Sequence, residues 1–148
     1  MSAVVLDTNI LLRLANPAAA EHGLCRDAVT RLVEAGCPLA IAPQILVEFW
    51  VVATRPTEVN GLGWSPAFTR VSIDGFLGQF RLLAESRDAF DQWLALVTTA
   101  EIAGKRAHDA RIAAVMLSTG VSELVTLNTG DFQSLPGIVV RHPSTVAP

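Results

Sequence analysis

The chain is poor in cysteine: Cys25 and Cys37 are the only two, and neither has a metal-type spacing with a histidine. That argues against a disulfide framework and a thiolate metal site, and leaves free, mostly buried thiols in a reducing compartment as the expectation. Charge is scarce too. Only 17% of residues are charged and the formal net charge is −3, so nothing attracts nucleic acid globally. Any such binding has to rest on local basic residues and on metal ions. Long apolar runs are missing: hydrophobic residues make up 51% of the chain and mean hydropathy is +0.41, yet no run approaches the roughly 20 residues a bilayer-crossing helix needs. The opening Met1-Ser2-Ala3 lacks the basic region and apolar segment of a secretory signal. A cytoplasmic protein with no membrane association is therefore expected. No internal repeat or low-complexity segment is present.

What is there suits one domain spanning residues 1–148, long enough to bury about 70% of its unfolded surface. Ala3 to Leu6 reads as a buried strand, and the polar turn Asp7-Thr8-Asn9 gives way to a helical pattern at Ile10, Leu11 and Leu14. A second helix is predicted over about 20–35, ended by Gly36, followed by a strand over Pro38 to Ala42. The next helix, Pro43 to Thr54, is almost wholly apolar apart from Gln44 and Glu48, which predicts burial on most sides. Pro56 to Pro66 reads as a loop, with Ser65 as N-cap and Pro66 as the first residue of a helix running to about Gly78. Phe80 to Ala84 is a predicted third strand; helices over about 88–103 and 106–118 follow, and Gly120 closes the last. Leu124 to Leu127 is a fourth strand and Ile138 to Val140 a candidate fifth. Residues 140–148 are expected to be largely a frayed tail. Strands alternating with helices give an α/β, three-layer domain with a central parallel sheet of four to five strands, whose ligand edge lies at the carboxyl ends of the strands.

Four acids stand out against this framework. Asp7, Glu48, Asp109 and Asp131 each lie in or beside an apolar stretch that should carry them inward. Buried anions without cations are costly, and like charges brought together raise one another's pKa. A bound divalent cation resolves that conflict. Each acid also has a plainer explanation: Asp7 suits a helix cap, Asp131 a turn, and Asp109 has Lys105 and Arg106 one turn earlier. Glu48 is the exception, because its helix offers no lysine or arginine three or four positions away. The case rests on the joint pattern.

At this point the chain resembles a known family. Val4-Val5-Leu6-Asp7-Thr8-Asn9, Gln44-Ile45-Leu46-Val47-Glu48-Phe49, His108-Asp109-Ala110-Arg111-Ile112-Ala113-Ala114 and Thr126-Leu127-Asn128-Thr129-Gly130-Asp131-Phe132, in that order, resemble the PIN-domain family. The similarity is greatest to its VapC-type toxin branch. That resemblance implies a parallel sheet flanked by helices, dimerisation, and an antitoxin partner that occludes the active site. It also implies Mg2+ or Mn2+ held by acids matching Asp7, Glu48, Asp109 and Asp131, with Asn128 holding metal or orienting water. RNA would be the substrate, cut by metal-activated water to leave a 5′-phosphate and a 3′-hydroxyl.

Magnesium favours oxygen ligands and retains several waters, which suits a few carboxylates. Thr8, Asn9 and Thr126 are candidates to support the metal ligands, although a helix start and a strand also account for the threonines. Among Lys105, Arg106, His108 and Arg111, Arg106 is the candidate contact for RNA phosphate. Trp64 marks a partner surface or packs over the core. Two rival functions differ in class. An aspartate-nucleophile phosphatase also places Asp after its first strand, but usually needs a second acid two residues later, where this chain has Asn9. A non-catalytic interaction or RNA-binding module would keep the fold without needing the acids.

Overall fold

The computed structural model describes residues 2–146. Val4-Val5-Leu6 is apolar throughout and forms the central strand β1 (Val4–Leu6), with every side chain buried, as expected of a strand covered on both faces. Five parallel strands make one sheet. On one side of β1 lies β2 (Leu39–Ile41) and then the edge strand β3 (Arg81–Leu82); on the other lie β4 (Glu123–Val125) and β5 (Val139–Arg141). Six helices flank it: α1 (Thr8–Ala15), α2 (His22–Glu34), α3 (Pro43–Thr54), α4 (Pro66–Gln79), α5 (Arg87–Thr99) and α6 (Arg106–Ser118). The α/β architecture expected from the sequence is the one observed.

Because β1 sends the chain towards β2 while β4 sends it towards β5, the sheet order reverses between β1 and β4. Parallel α/β sheets bind ligands in the crevice that opens at such a reversal, outside the carboxyl ends of the strands. Asp7 leaves β1 there and Thr126 leaves β4. The Asp7 backbone N–H donates to the Val125 carbonyl at 3.0 Å, so the two exits stay joined.

Local chemistry explains most boundaries. Asp7 caps α1, Ser65 caps α4 with Pro66 behind it, and Ser86 caps α5, each side chain accepting from a backbone N–H of its helix. Gly36 and Gly120 end α2 and α6 at positive φ, and the following residues, Cys37 and Val121, return hydrogen bonds to the last-turn carbonyls of Leu32 and Met116. Residues 60–64 fold back along the end of α3: Leu62 and Trp64 donate to the carbonyls of Val52 and Ala53. Trp64 packs edge-on against Phe49 and Phe68, so it belongs partly to the core.

Three expectations need adjustment. The third strand is only two residues long and exposed, because β3 sits at the sheet edge with a partner on one side. Helix α3 is covered on most sides but leaves one stripe open: Val47 and Val51, one turn apart, are 62% and 51% exposed beside Leu46, Trp50 and Ile73. The segment after residue 140 is ordered rather than frayed, with Val140 and Arg141 in β5 and Pro143–Thr145 in a 3-10 turn. Val146 is buried and its carbonyl accepts from Arg31 of α2. The last two residues lie outside the described region.

Candidate active site

Asp7 is the most deeply placed acid, 6% exposed at the sheet reversal. Its Oδ1 accepts from the Thr8 backbone N–H at 2.8 Å, and its Oδ2 accepts from the Thr126 hydroxyl at 2.8 Å and from Asn9 Nδ2 at 3.3 Å. Cap and site acid are thus one residue. Asn9 is a strut between strands: Nδ2 also reaches Thr126 Oγ1, and Oδ1 accepts from the Leu127 N–H at 3.0 Å. Its amide is committed to hydrogen bonds that a second acid, as in the phosphatase reading, would not donate.

Glu48 lies half-buried on α3. Thr8 Oγ1 donates to Oε2 and Gln44 Nε2 to Oε1, both at 2.8 Å. The desolvation expected of an acid among apolar neighbours is therefore relieved by hydrogen bonds, with no ion pair. Asp109, half-buried in the first turn of α6, has no hydrogen bond to its carboxylate among the described residues. Asp131 ends a 3-10 turn (Thr129–Asp131) after β4 and is exposed, so the expectation that its surroundings carry it inward does not hold. Asn128 is exposed as well, and its backbone N–H donates to Thr126 Oγ1 at 3.1 Å.

The acids share one electrostatic field. Burial pushes the Asp7 carboxyl up to about 6 against the pull of its Thr126 and Thr8 hydrogen bonds, with Glu48 and Asp131 adding repulsion. Asp109 is likewise pushed up to about 6, by burial first and then by Asp131, Asp7 and Glu48, while Arg106 pulls the other way. None of the four is in a salt bridge among the described residues. Neighbouring arginines are engaged elsewhere: Arg106 Nη2 donates to Ser134 at 2.6 Å, and Arg111 grips Glu85 with two nitrogens, one at 2.7 Å.

This donor set suits a hard divalent cation. It is oxygen-only, carries excess negative charge and makes no ion pair among the described residues, although Arg106 lies in the field of Asp109. It is not a closed cage, since among the described residues no three acid, histidine or cysteine side chains converge tightly enough to form one. As placed, at most two of these side chains can ligate one ion directly, and waters would fill the rest of its shell.

The family profile described as PIN domain matches residues 4–138, and so takes in every strand from β1 to β4 and all four acids. The chain belongs to the PIN-domain family. It is 30% identical over 142 residues to Ribonuclease VapC24 of Mycobacterium tuberculosis, covering 95% of this chain and 96% of the relative. Among solved structures, VapBC2 from Rickettsia felis bound to a promoter DNA fragment aligns with TM-score 0.72 at 19% identity, over 95% of this chain and 98% of the other. A toxin-antitoxin complex from Klebsiella pneumoniae aligns with TM-score 0.61 at 26% identity, over 93% and 96%.

Within this PIN domain, the sequence marks Gln44 only as a polar exception in α3 and Arg111 only as a basic neighbour of Asp109, and their hydrogen bonds to Glu48 and to each other were not anticipated. The spacing of Gln44 and Glu48 by one helical turn was the available signal for the first. Arg111 had none, because its link to Gln44 crosses between helices.

Proposed function

We propose that this chain is a Mg2+- or Mn2+-dependent endoribonuclease, the toxin of a type II toxin-antitoxin pair, acting as a homodimer in the cytoplasm. The observation that carries the reading is the set of four acids in one field, without ion pairs, at the reversal point of the sheet. The ribonuclease relative and the toxin-antitoxin structural neighbours support the biological role. The PIN-domain match over residues 4–138 supports reading residues 1–148 as one nuclease domain. Among the described residues no helix is long and apolar enough to cross a membrane.

Asp7, Glu48, Asp109 and Asp131 would bind the ion between them, some directly and the others through its waters, with Asn128 adding an amide oxygen in the same way, since no three of the acids converge on one point. When bound, the ion supplies activation of water for in-line attack on phosphorus and neutralises charge on the phosphate. Asp7 is the central anchor, because Thr8, Asn9 and Thr126 fix both of its oxygens. Glu48 is held towards it by Thr8. Arg106, exposed in the first turn of α6 beside Asp109, would meet a backbone phosphate of the RNA. Cleavage would leave a 5′-phosphate and a 3′-hydroxyl.

The test is cleavage of single-stranded RNA by purified protein with Mg2+ or Mn2+, alongside Asp7→Asn and Asp109→Asn. Loss of cleavage in chelator and in both folded variants is expected. Equal activity of parent and variants would overturn the reading.

A further inference from the structure

Gln44 is a buried amide, 4% exposed, in a helix whose neighbouring positions are apolar. Its Nε2 donates to Glu48 Oε1 at 2.8 Å and to the His108 carbonyl of α6 at 2.7 Å, and its Oε1 accepts from Arg111 Nη1 at 3.3 Å. Only one amide orientation serves these partners. A carboxylate and a carbonyl can only accept and a guanidinium can only donate, so a flipped amide would lose all three bonds. Arg111 is itself oriented by its two-nitrogen grip on Glu85, a residue of the β3–α5 loop.

These bonds form a chain from Glu85 through Arg111 and Gln44 to Glu48, and on to Thr8, whose backbone N–H donates to Asp7. Gln44 touches two parts of the acid group at once: the Glu48 carboxylate and the backbone immediately before Asp109. Because it ties α3 to α6, it sets the separation of the two helices that carry these acids.

We propose that Gln44 is a positioning residue for the metal-binding acids, and that Glu85 and Arg111 hold it in place. The inference rests on the reading that these acids bind a divalent cation. Groups that orient metal ligands through hydrogen bonds typically change affinity or activity by about 10–100-fold when removed.

The experiment compares parent, Gln44→Met, Glu85→Gln and Asp7→Asn. Mn2+ binding is measured by calorimetry, melting temperature with and without Mn2+, and RNA cleavage across a Mn2+ titration. Gln44→Met conserves volume and removes the amide; Glu85→Gln acts from a partly exposed position if the first variant folds poorly. Weakening of Mn2+ binding by about tenfold is expected for Gln44→Met, with a smaller shift in the same direction for Glu85→Gln. Cleavage should recover at high Mn2+, so the change appears in the metal requirement more than in the saturated rate, which general loss of structure would not produce. If Asp7→Asn abolishes Mn2+ binding while Gln44→Met and Glu85→Gln bind like the parent, the positioning role is wrong and the metal site stands. If the parent itself binds no Mn2+, both fall.

Discussion

The Thr126 hydroxyl donates a 2.8 Å hydrogen bond to Oδ2 of Asp7, joining the exits of two neighbouring strands across 119 positions of sequence. Thr126 Oγ1 in turn accepts from Asn9 Nδ2 and from the Asn128 N–H. Thr126→Val keeps the shape, yet it takes a donor from Asp7 and an acceptor from both Asn9 Nδ2 and the Asn128 N–H. A loss of about 1–3 kcal/mol in urea unfolding is expected, with Thr126→Ser close to parent. Matching stability of the valine variant would mean these bonds contribute little.

Asp109 is the cleanest probe of crowding among the acids. Its carboxyl is raised by burial and by three like charges, and no hydrogen bond among the described residues would be lost on substitution. In chelator, Asp109→Asn should raise the melting temperature by a few degrees, as about 1 kcal/mol of relieved repulsion implies for a domain of this size. Asp7→Asn should gain less, because the new amide faces three donors. Added Mn2+ should then stabilise both variants less than the parent. Identical melting in both media would show that the acids do not share a field.

Much of this was legible because it is local. Caps, the glycines after α2 and α6, and the buried β1 follow from residues within one or two turns of each other. That Asp7 and Asp131 emerge at one sheet edge could be argued from topology, since parallel strands export their following residues there, whereas Glu48 and Asp109 lie within helices that this argument does not place. What was not legible is set by contacts far apart in the chain. Arg111 reaches Gln44 across 67 positions, and no periodicity encodes that. The outward face of α3 misled for a different reason: its exposed valines read as core residues in a sequence pattern. The ordered end misled because prolines suggested fraying, whereas Val146 docks beside α2.

The fold-back after α3 depends on a close approach at Gly61. A Cβ there would sit 1.9 Å from the Arg55 carbonyl oxygen, a backbone atom that cannot move aside alone. Gly61→Ala should cost about 1–3 kcal/mol, or more if Trp64 loses its seat against Phe49. Unfolding in urea with Trp fluorescence would read both effects. An alanine variant as stable as the parent, with unchanged fluorescence, would show that the loop relaxes freely.

Stability of the metal-free protein should fall as pH rises from mildly acid to neutral. Asp7 has an ordinary value near 3.8 and sits at about 6 in the fold, so between those values the folded protein holds a proton that the unfolded chain has released. Stability falls wherever the folded state binds more protons, so this contribution is fully present below about pH 4 and is lost as pH passes 6. A shift of about two units corresponds to roughly 3 kcal/mol, an order-of-magnitude figure for a group this buried. Asp109 adds a change in the same direction. The measurement is urea unfolding in chelator across that window for parent and Asp7→Asn; the parent should lose stability with pH more steeply than the variant. With saturating Mn2+ the sign should reverse, because protons and the ion compete for the same oxygens and the ion wins as pH rises. Parallel pH profiles for parent and variant in chelator would mean that Asp7 titrates as an ordinary carboxylate, and the electrostatic basis of the site would be gone.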